Sequence, residues 1–162
     1  MTHCWIGIGS NQDRERCVRG AVRALRNRFG GLILSSVYES KSVGFDGEPF
    51  FNLVAGFDTT ESVSAVRAVL RSIEDTFGRV RGPEKSAPTT LDLDLLTYGD
   101  QVVNEGGRVL PREEILSSAF VLGPLAEVAD REVHPVLGRS YGELWSSFDK
   151  SGQPLVPIAL EL

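Results

Sequence analysis

Two aspartates separated by one leucine, Asp92 and Asp94 in the run PTTLDLDLLT (88–97), have the types and spacing best suited to chemistry. On a strand successive side chains point to opposite faces, so Leu91, Leu93 and Leu95 share one face and Asp92 and Asp94 the other. The leucine face belongs to a core. The acidic face holds two like charges side by side, which raises carboxylate pKa values unless a positive charge lies between them. A Mg2+ ion, bound by hard oxygen ligands and leaving room for phosphate and water, suits such a pair; a solvated polar face is the other reading. Glu74, Arg79, Arg81 and Lys85 lie just upstream, so acids for metal and bases for phosphate gather at one end of this strand.

Phe50 and Asn52 share a face of an earlier β-rich run by the same alternation. An aromatic plane beside an amide can clamp a flat heteroaromatic ring, with Phe120 as a second jaw. A core Phe and an Asn at a strand turn is the competing reading. The stretch GIGSN (7–11) has Gln12 where a dinucleotide fingerprint needs its third glycine, and no GxxxxGK[ST] occurs anywhere. Its glycines either let a helix pack closely on the strand or give backbone to a ligand site. His134, in HPVLG, reads as a turn residue and His3 as surface. Cys4 and Cys17 have no ligand or redox spacing and read as reduced, buried thiols.

The elements that must position these residues follow from periodicity. Residues 4–9 read as a buried strand, and a helix follows Asn11 and Asp13 with Val18, Ala21, Val22, Leu25 and Phe29 at helical spacing until Gly30. Strands are expected over 32–40 and 50–58, flanking a Gly/Pro/Asp loop too long for a tight turn. A second amphipathic helix carries Val66, Leu70, Ile73 and Phe77 and ends at Gly78. Gly99-Asp100 reads as a hairpin turn with 101–104 returning, Pro111 as the first position of a short helix continued by AFVLGPLAEVA, and Ser140 with Glu143 as a capping box. The order β-α-β-β-α-β predicts an α+β, ferredoxin-like sandwich, a mainly antiparallel sheet with helices packed on it and a C-terminal helical extension.

With 162 residues, 41% apolar and 24% charged, the chain reads as one soluble domain over 1–162. A net charge of −5 argues against broad nucleic-acid binding, and no apolar run approaches a membrane span. The start lacks a basic region and cleavage site, which points to the cytoplasm, and a monomer is expected.

Taken in order from about Ile6 to Phe148, the segments IGIGSN, YES with its following loop, FFN, IE…GRVR, TLDLDLL and LP…AFVLGPLAE resemble the 6-hydroxymethyl-7,8-dihydropterin pyrophosphokinase (HPPK) family. The resemblance implies a ferredoxin-like fold and Mg-dependent transfer of pyrophosphate from ATP to the pterin's hydroxymethyl oxygen, with AMP released. It implies that Asp92 and Asp94 hold two Mg2+ ions, that Glu74 stands at the nucleotide site, and that Arg79 and Arg81 belong to a catalytic loop; Lys85 and Arg112 are expected beside these as further bases for the phosphates. Phe50 and Phe120 would sandwich the pterin, Asn52 would read its edge, and the segment from Ser40 to Val43 would form part of the pocket wall. Four positions depart from the family pattern. Thr89 and Ser118 stand where arginine is usual, Ser86 where many members have tryptophan, and Arg112 where histidine is usual. The lost arginines raise a second reading, a weakly catalytic or non-catalytic pterin-binding paralog.

Overall fold

The computed structural model describes residues 1–41, 47–79 and 91–162. Val43, Arg81, Lys85, Ser86 and Thr89 lie outside these residues. The chain runs β1 (Thr2–Ser10), α1 (Arg14–Phe29), β2 (Ile33–Leu34), β3 (Val37–Ser40), β4 (Phe50–Thr59), α2 (Val63–Thr76), β5 (Asp92–Tyr98), β6 (Val103–Glu105), β7 (Arg108–Leu110), α3 (Glu114–Ser117), α4 (Ala119–Val128), α5 (Tyr141–Ser146) and β8 (Val156–Ile158).

The main sheet has the order β5-β1-β4-β3-β8, with β2 paired to β4 and every named pairing antiparallel. Without the short additions β2 and β8, the expected ferredoxin-like order of four strands remains. The helices α1 and α2 bury Val18, Ala21, Val22, Leu25, Val66, Leu70 and Ile73 against Ile6, Ile8, Leu53, Leu93 and Leu95 of the sheet. The helical extension does more than extend. It lays Ile115, Leu122, Leu125, Tyr141 and Leu144 over Trp5, Val54 and Leu96, so the sheet is buried on both faces.

Several local expectations change for identifiable reasons. The run 32–40 is broken between β2 and β3 because the Ser35 hydroxyl, not a carbonyl, accepts the Val54 N–H at 2.9 Å. Glu127 of α4 then accepts from the Ser36 N–H and hydroxyl at 3.0 and 2.8 Å and from the Tyr38 hydroxyl at 2.6 Å, tying α4 to β3. The chain after Gly99-Asp100 does not return along β5. Instead β6 pairs with β7 through Gly106-Gly107, both at positive φ, the geometry a two-residue hairpin turn prefers. Pro111 does not open a helix either: the Arg112 N–H is taken by the Leu96 carbonyl at 2.9 Å, and α3 begins only at Glu114.

The segment after α5 closes the fold. Strand β8, which hydropathy did not reveal, pairs with β3 at the sheet edge, where Pro157 is tolerated. Gln153 accepts the Ala119 N–H at 2.9 Å and donates to the Ser117 carbonyl at 3.2 Å, bridging the break between α3 and α4. The capping expectation at α5 holds in part, since Ser140 Oγ accepts the Glu143 N–H at 3.2 Å.

His134 is a buried turn residue, as its context suggested; its Nδ1 accepts the Val136 and Leu137 N–H groups, each at 3.2 Å. Burial pushes its pKa below the ordinary value. A His whose folded pKa lies below its unfolded value contributes stability that is full above about pH 6.5 and is lost as pH falls. The urea midpoint should therefore drop between about pH 6.5 and 5. His134→Asn, whose side-chain oxygen can replace the Nδ1 acceptor without titrating, should flatten that slope.

Candidate active site

The register of β1 against β5 places Gly7 opposite Asp94 and Gly9 opposite Asp92, while β4 sets Asn52 opposite Gly9. Directly opposed residues share a sheet face, so a row runs Asp92, Gly9, Asn52 across three strands. The two glycines supply no side chain there. A Cβ at Gly9 would come to 3.3 Å from Asn52 Oδ1, and one at Gly7 would make ordinary contact with the Leu96 side chain at 3.5 Å. They form the floor of a cavity of about 370 Å³ rather than a helix-packing surface.

That cavity gathers Ser40, Phe50, Asn52, Asp92, Asp94, Arg112 and Phe120 from the sequence reading. Strand β4 supplies Phe50 and Asn52, while Phe51 faces the other way, under the Arg14 guanidinium at 4.0 Å. Buried Asn52 donates through Nδ2 to Ser40 Oγ at 2.7 Å, fixing the amide against β3. Phe120 comes from the first turn of α4. The lining is thus aromatic and amide-bearing in part, and acidic in part.

A second cavity, of about 450 Å³, opens between α2, β5 and β7 and is lined by Arg67, Arg71, Glu74, Asp94, Arg108 and Arg112 among others. Burial, then repulsion from the Arg108 and Arg112 guanidiniums, lowers the pKa of Arg67. A polyanion would relieve that repulsion. Asp94 and Arg112 belong to the walls of both cavities.

Two other sequence candidates occupy specific positions. Glu74 is buried on α2, and its Oε2 accepts the Leu93 N–H at 2.8 Å, so this carboxylate satisfies a donor at the open edge of β5. Arg79 donates to the Leu91 carbonyl at 2.9 Å and to Asp92 Oδ1 at 3.1 Å, with Glu74 Oε2 at 3.7 Å. Arg67, Arg71 and Arg108 were not singled out from the sequence. The i, i+4, i+7 stripe of Arg67, Arg71 and Glu74 on α2 was a usable signal. Arg108 had none, because it reaches the cavity only through the fold of the β6–β7 ribbon.

The Asp94 carboxyl is pushed up to about 7, first by burial and then by Asp92, with Arg112 pulling the other way and Glu114 adding to the rise. Among the described residues no third His, Cys, Asp or Glu completes a metal-binding cluster with these two. Two carboxylates on one strand face, with open space beside them, fit a Mg2+ ion that completes its shell with phosphate oxygens and water.

A profile of the 7,8-dihydro-6-hydroxymethylpterin-pyrophosphokinase (HPPK) family matches residues 5–130. The chain belongs to this family. It is 33% identical over 156 residues to the 2-amino-4-hydroxy-6-hydroxymethyldihydropteridine pyrophosphokinase of Methylorubrum extorquens, covering 94% of this chain and 97% of that HPPK. It is 31% identical over 158 residues to the folic acid synthesis protein fol1 of Pneumocystis carinii, spanning 95% of this chain but only 21% of that longer protein. Among solved structures, the HPPK-DHPS protein of Plasmodium falciparum superposes with a TM-score of 0.70 at 11% identity, over 90% of this chain and 45% of its own, a likeness of fold. No helix of the described residues is long and apolar enough to cross a membrane.

The raised Asp94 pKa has a consequence for stability. A carboxyl whose folded pKa lies above its unfolded value is destabilising once ionised, so the penalty grows as pH rises from about 4 through 7. Without metal, Asp94→Asn should raise the melting temperature at pH 8 by about 2–4 °C, the shift expected for ~1 kcal/mol in a chain of this size. The gain should vanish at pH 4, and differential scanning calorimetry at the two pH values checks both.

Proposed function

We infer that this HPPK transfers pyrophosphate from ATP to the hydroxymethyl oxygen of 6-hydroxymethyl-7,8-dihydropterin, releasing AMP, with Mg2+ required. The observation that carries this reading is the position of Asp94 and Arg112 in the walls of two cavities, one lined by Phe50, Asn52 and Phe120 and the other by arginines. A reaction joining a ring-borne hydroxyl to a polyphosphate needs such a junction.

In this reading Phe50 and Phe120 stack on the pterin, while Asn52, held by Ser40, hydrogen-bonds its edge. Arg67, Arg108 and Arg112 take the triphosphate oxygens, and Arg79 adds charge beside Asp92. Asp92 and Asp94 would hold Mg2+, two ions in our reading, which when bound offsets phosphate charge and helps orient the β-phosphorus. The hydroxymethyl oxygen then attacks that phosphorus in line and gives up its proton to water, the bond from the β-phosphorus to the bridging oxygen breaks, and AMP leaves with that oxygen. The chain's work is positioning and charge compensation, as expected for phosphoryl transfer. In this reading Arg112 also supplies a guanidinium in a chain whose sequence has Thr89 and Ser118 where the resemblance leads one to expect arginine.

Mixing the protein with Mg-ATP and the hydroxymethyl dihydropterin should yield AMP in step with pterin consumption, read by chromatography. Binding of pterin without AMP would instead establish the non-catalytic paralog. Arg112→Ala should slow transfer by about 10²-fold, the scale of one lost transition-state donor, with little change in pterin affinity. Phe50→Ala and Phe120→Ala should each weaken pterin binding about fivefold, equivalent to ~1 kcal/mol of stacking, measured by fluorescence titration. Normal pterin affinity in both variants would place the ring elsewhere.

A further inference from the structure

Arg112 puts a fixed positive charge beside the carboxylates on which a cation must bind, so its distance from them needs control. Its Nη2 lies 3.9 Å from Asp94 Oδ1, outside hydrogen-bonding range. Its Nε and Nη2 both donate instead to Glu114 Oε2, at 2.9 and 2.5 Å. The backbone at Arg112 is pinned by its bond to the Leu96 carbonyl, and Glu114 opens α3 beside fully buried Ile115. Both partners of the Arg112–Glu114 pair therefore rise from anchored backbone, and the guanidinium orientation is set by a carboxylate two residues along the chain.

Without Glu114 that balance fails. A partly buried guanidinium that loses its carboxylate seeks another, and a movement of about 1 Å would give Arg112 a direct bond to Asp94. An Asp94 oxygen committed to Arg112 is no longer a free ligand for a cation. We propose that Glu114 is a positioning residue that holds Arg112 off Asp94, keeping the Asp92–Asp94 pair open to a divalent cation while leaving the guanidinium at the junction of the two cavities. The proposal rests on the reading of Asp92 and Asp94 as the metal site.

Removing Glu114 also subtracts a negative charge near the cation, which alone would weaken binding. A double-mutant cycle separates the two routes. The probe is Mn2+ alone, a divalent ion of similar ligand preference, with the free ion counted by electron paramagnetic resonance. The proteins are the full-length wild type, Glu114→Gln, Arg112→Met, the double variant and Asp94→Asn, with near-ultraviolet circular dichroism verifying the fold. Glu114→Gln keeps the side chain's shape, and Glu114→Ala provides an independent second removal. Glu114→Gln should weaken Mn2+ binding about tenfold, whereas in the Arg112→Met background the same substitution should change it less than about twofold, a coupling within the range of contacting residues. An equal loss in both backgrounds would show that Glu114 acts on the cation directly and would overturn the positioning role, as would unchanged affinity in both Glu114 variants. Wild-type protein that fails to bind Mn2+, or binding untouched by Asp94→Asn, would instead overturn the metal site and this proposal with it.

Discussion

The antiparallel register between β1 and β5, with Gly7 facing Asp94 and Gly9 facing Asp92, is the constraint on which the rest of the site depends. It puts two bare backbone positions beside two carboxylates, so open space and negative charge fall together. A slip of one residue would turn Asp92 and Asp94 into the core under α1 and α2 and bring Leu93 and Leu95 to the cavity. The slip is opposed on both faces at once. Leu93 and Leu95 pack with α1 and α2, while Leu96 packs with α3–α5 on the other side.

Charges around this register are arranged against themselves. Asp94 feels Asp92 and Glu114, and Arg67 feels Arg108 and Arg112. Each sign is crowded with its own kind, and the two groups meet at Asp94 and Arg112. A folded protein selected only for stability would intermix them. Crowding of this kind is offset when a cation and a polyphosphate arrive together, because each ligand relieves the repulsion in one group. The Arg79–Asp92 and Arg112–Glu114 pairs supply part of that compensation within the chain.

How much of this was legible depended on whether the signal was local. The Leu-Asp alternation specified which face of β5 would be acidic, and the spacing of Phe50 and Asn52 put both on one face of β4, because strand periodicity is a property of neighbouring residues. The helix stripes of α1 and α2 were equally readable. Arg108 was invisible because its place depends on a ribbon that leaves the sheet at Gly99 and turns at Gly106-Gly107. Pro111 misled for a related reason: the long-range bond from Arg112 to Leu96 overrode a local helix-start preference. The three-residue β8 contains a proline and has no alternation to read, so only its pairing with β3 reveals it.

The family profile matches only as far as residue 130, but the folding unit runs on. A recombinant fragment cut at that boundary would lose β8 and leave β3 as a bare edge, with backbone groups free to recruit a strand from another molecule. It would uncover the side of the sheet that Tyr141 and Leu144 cover, and free the Ala119 N–H from Gln153 one residue before Phe120. Such a fragment would keep every residue assigned here to the reaction and still be prone to aggregate.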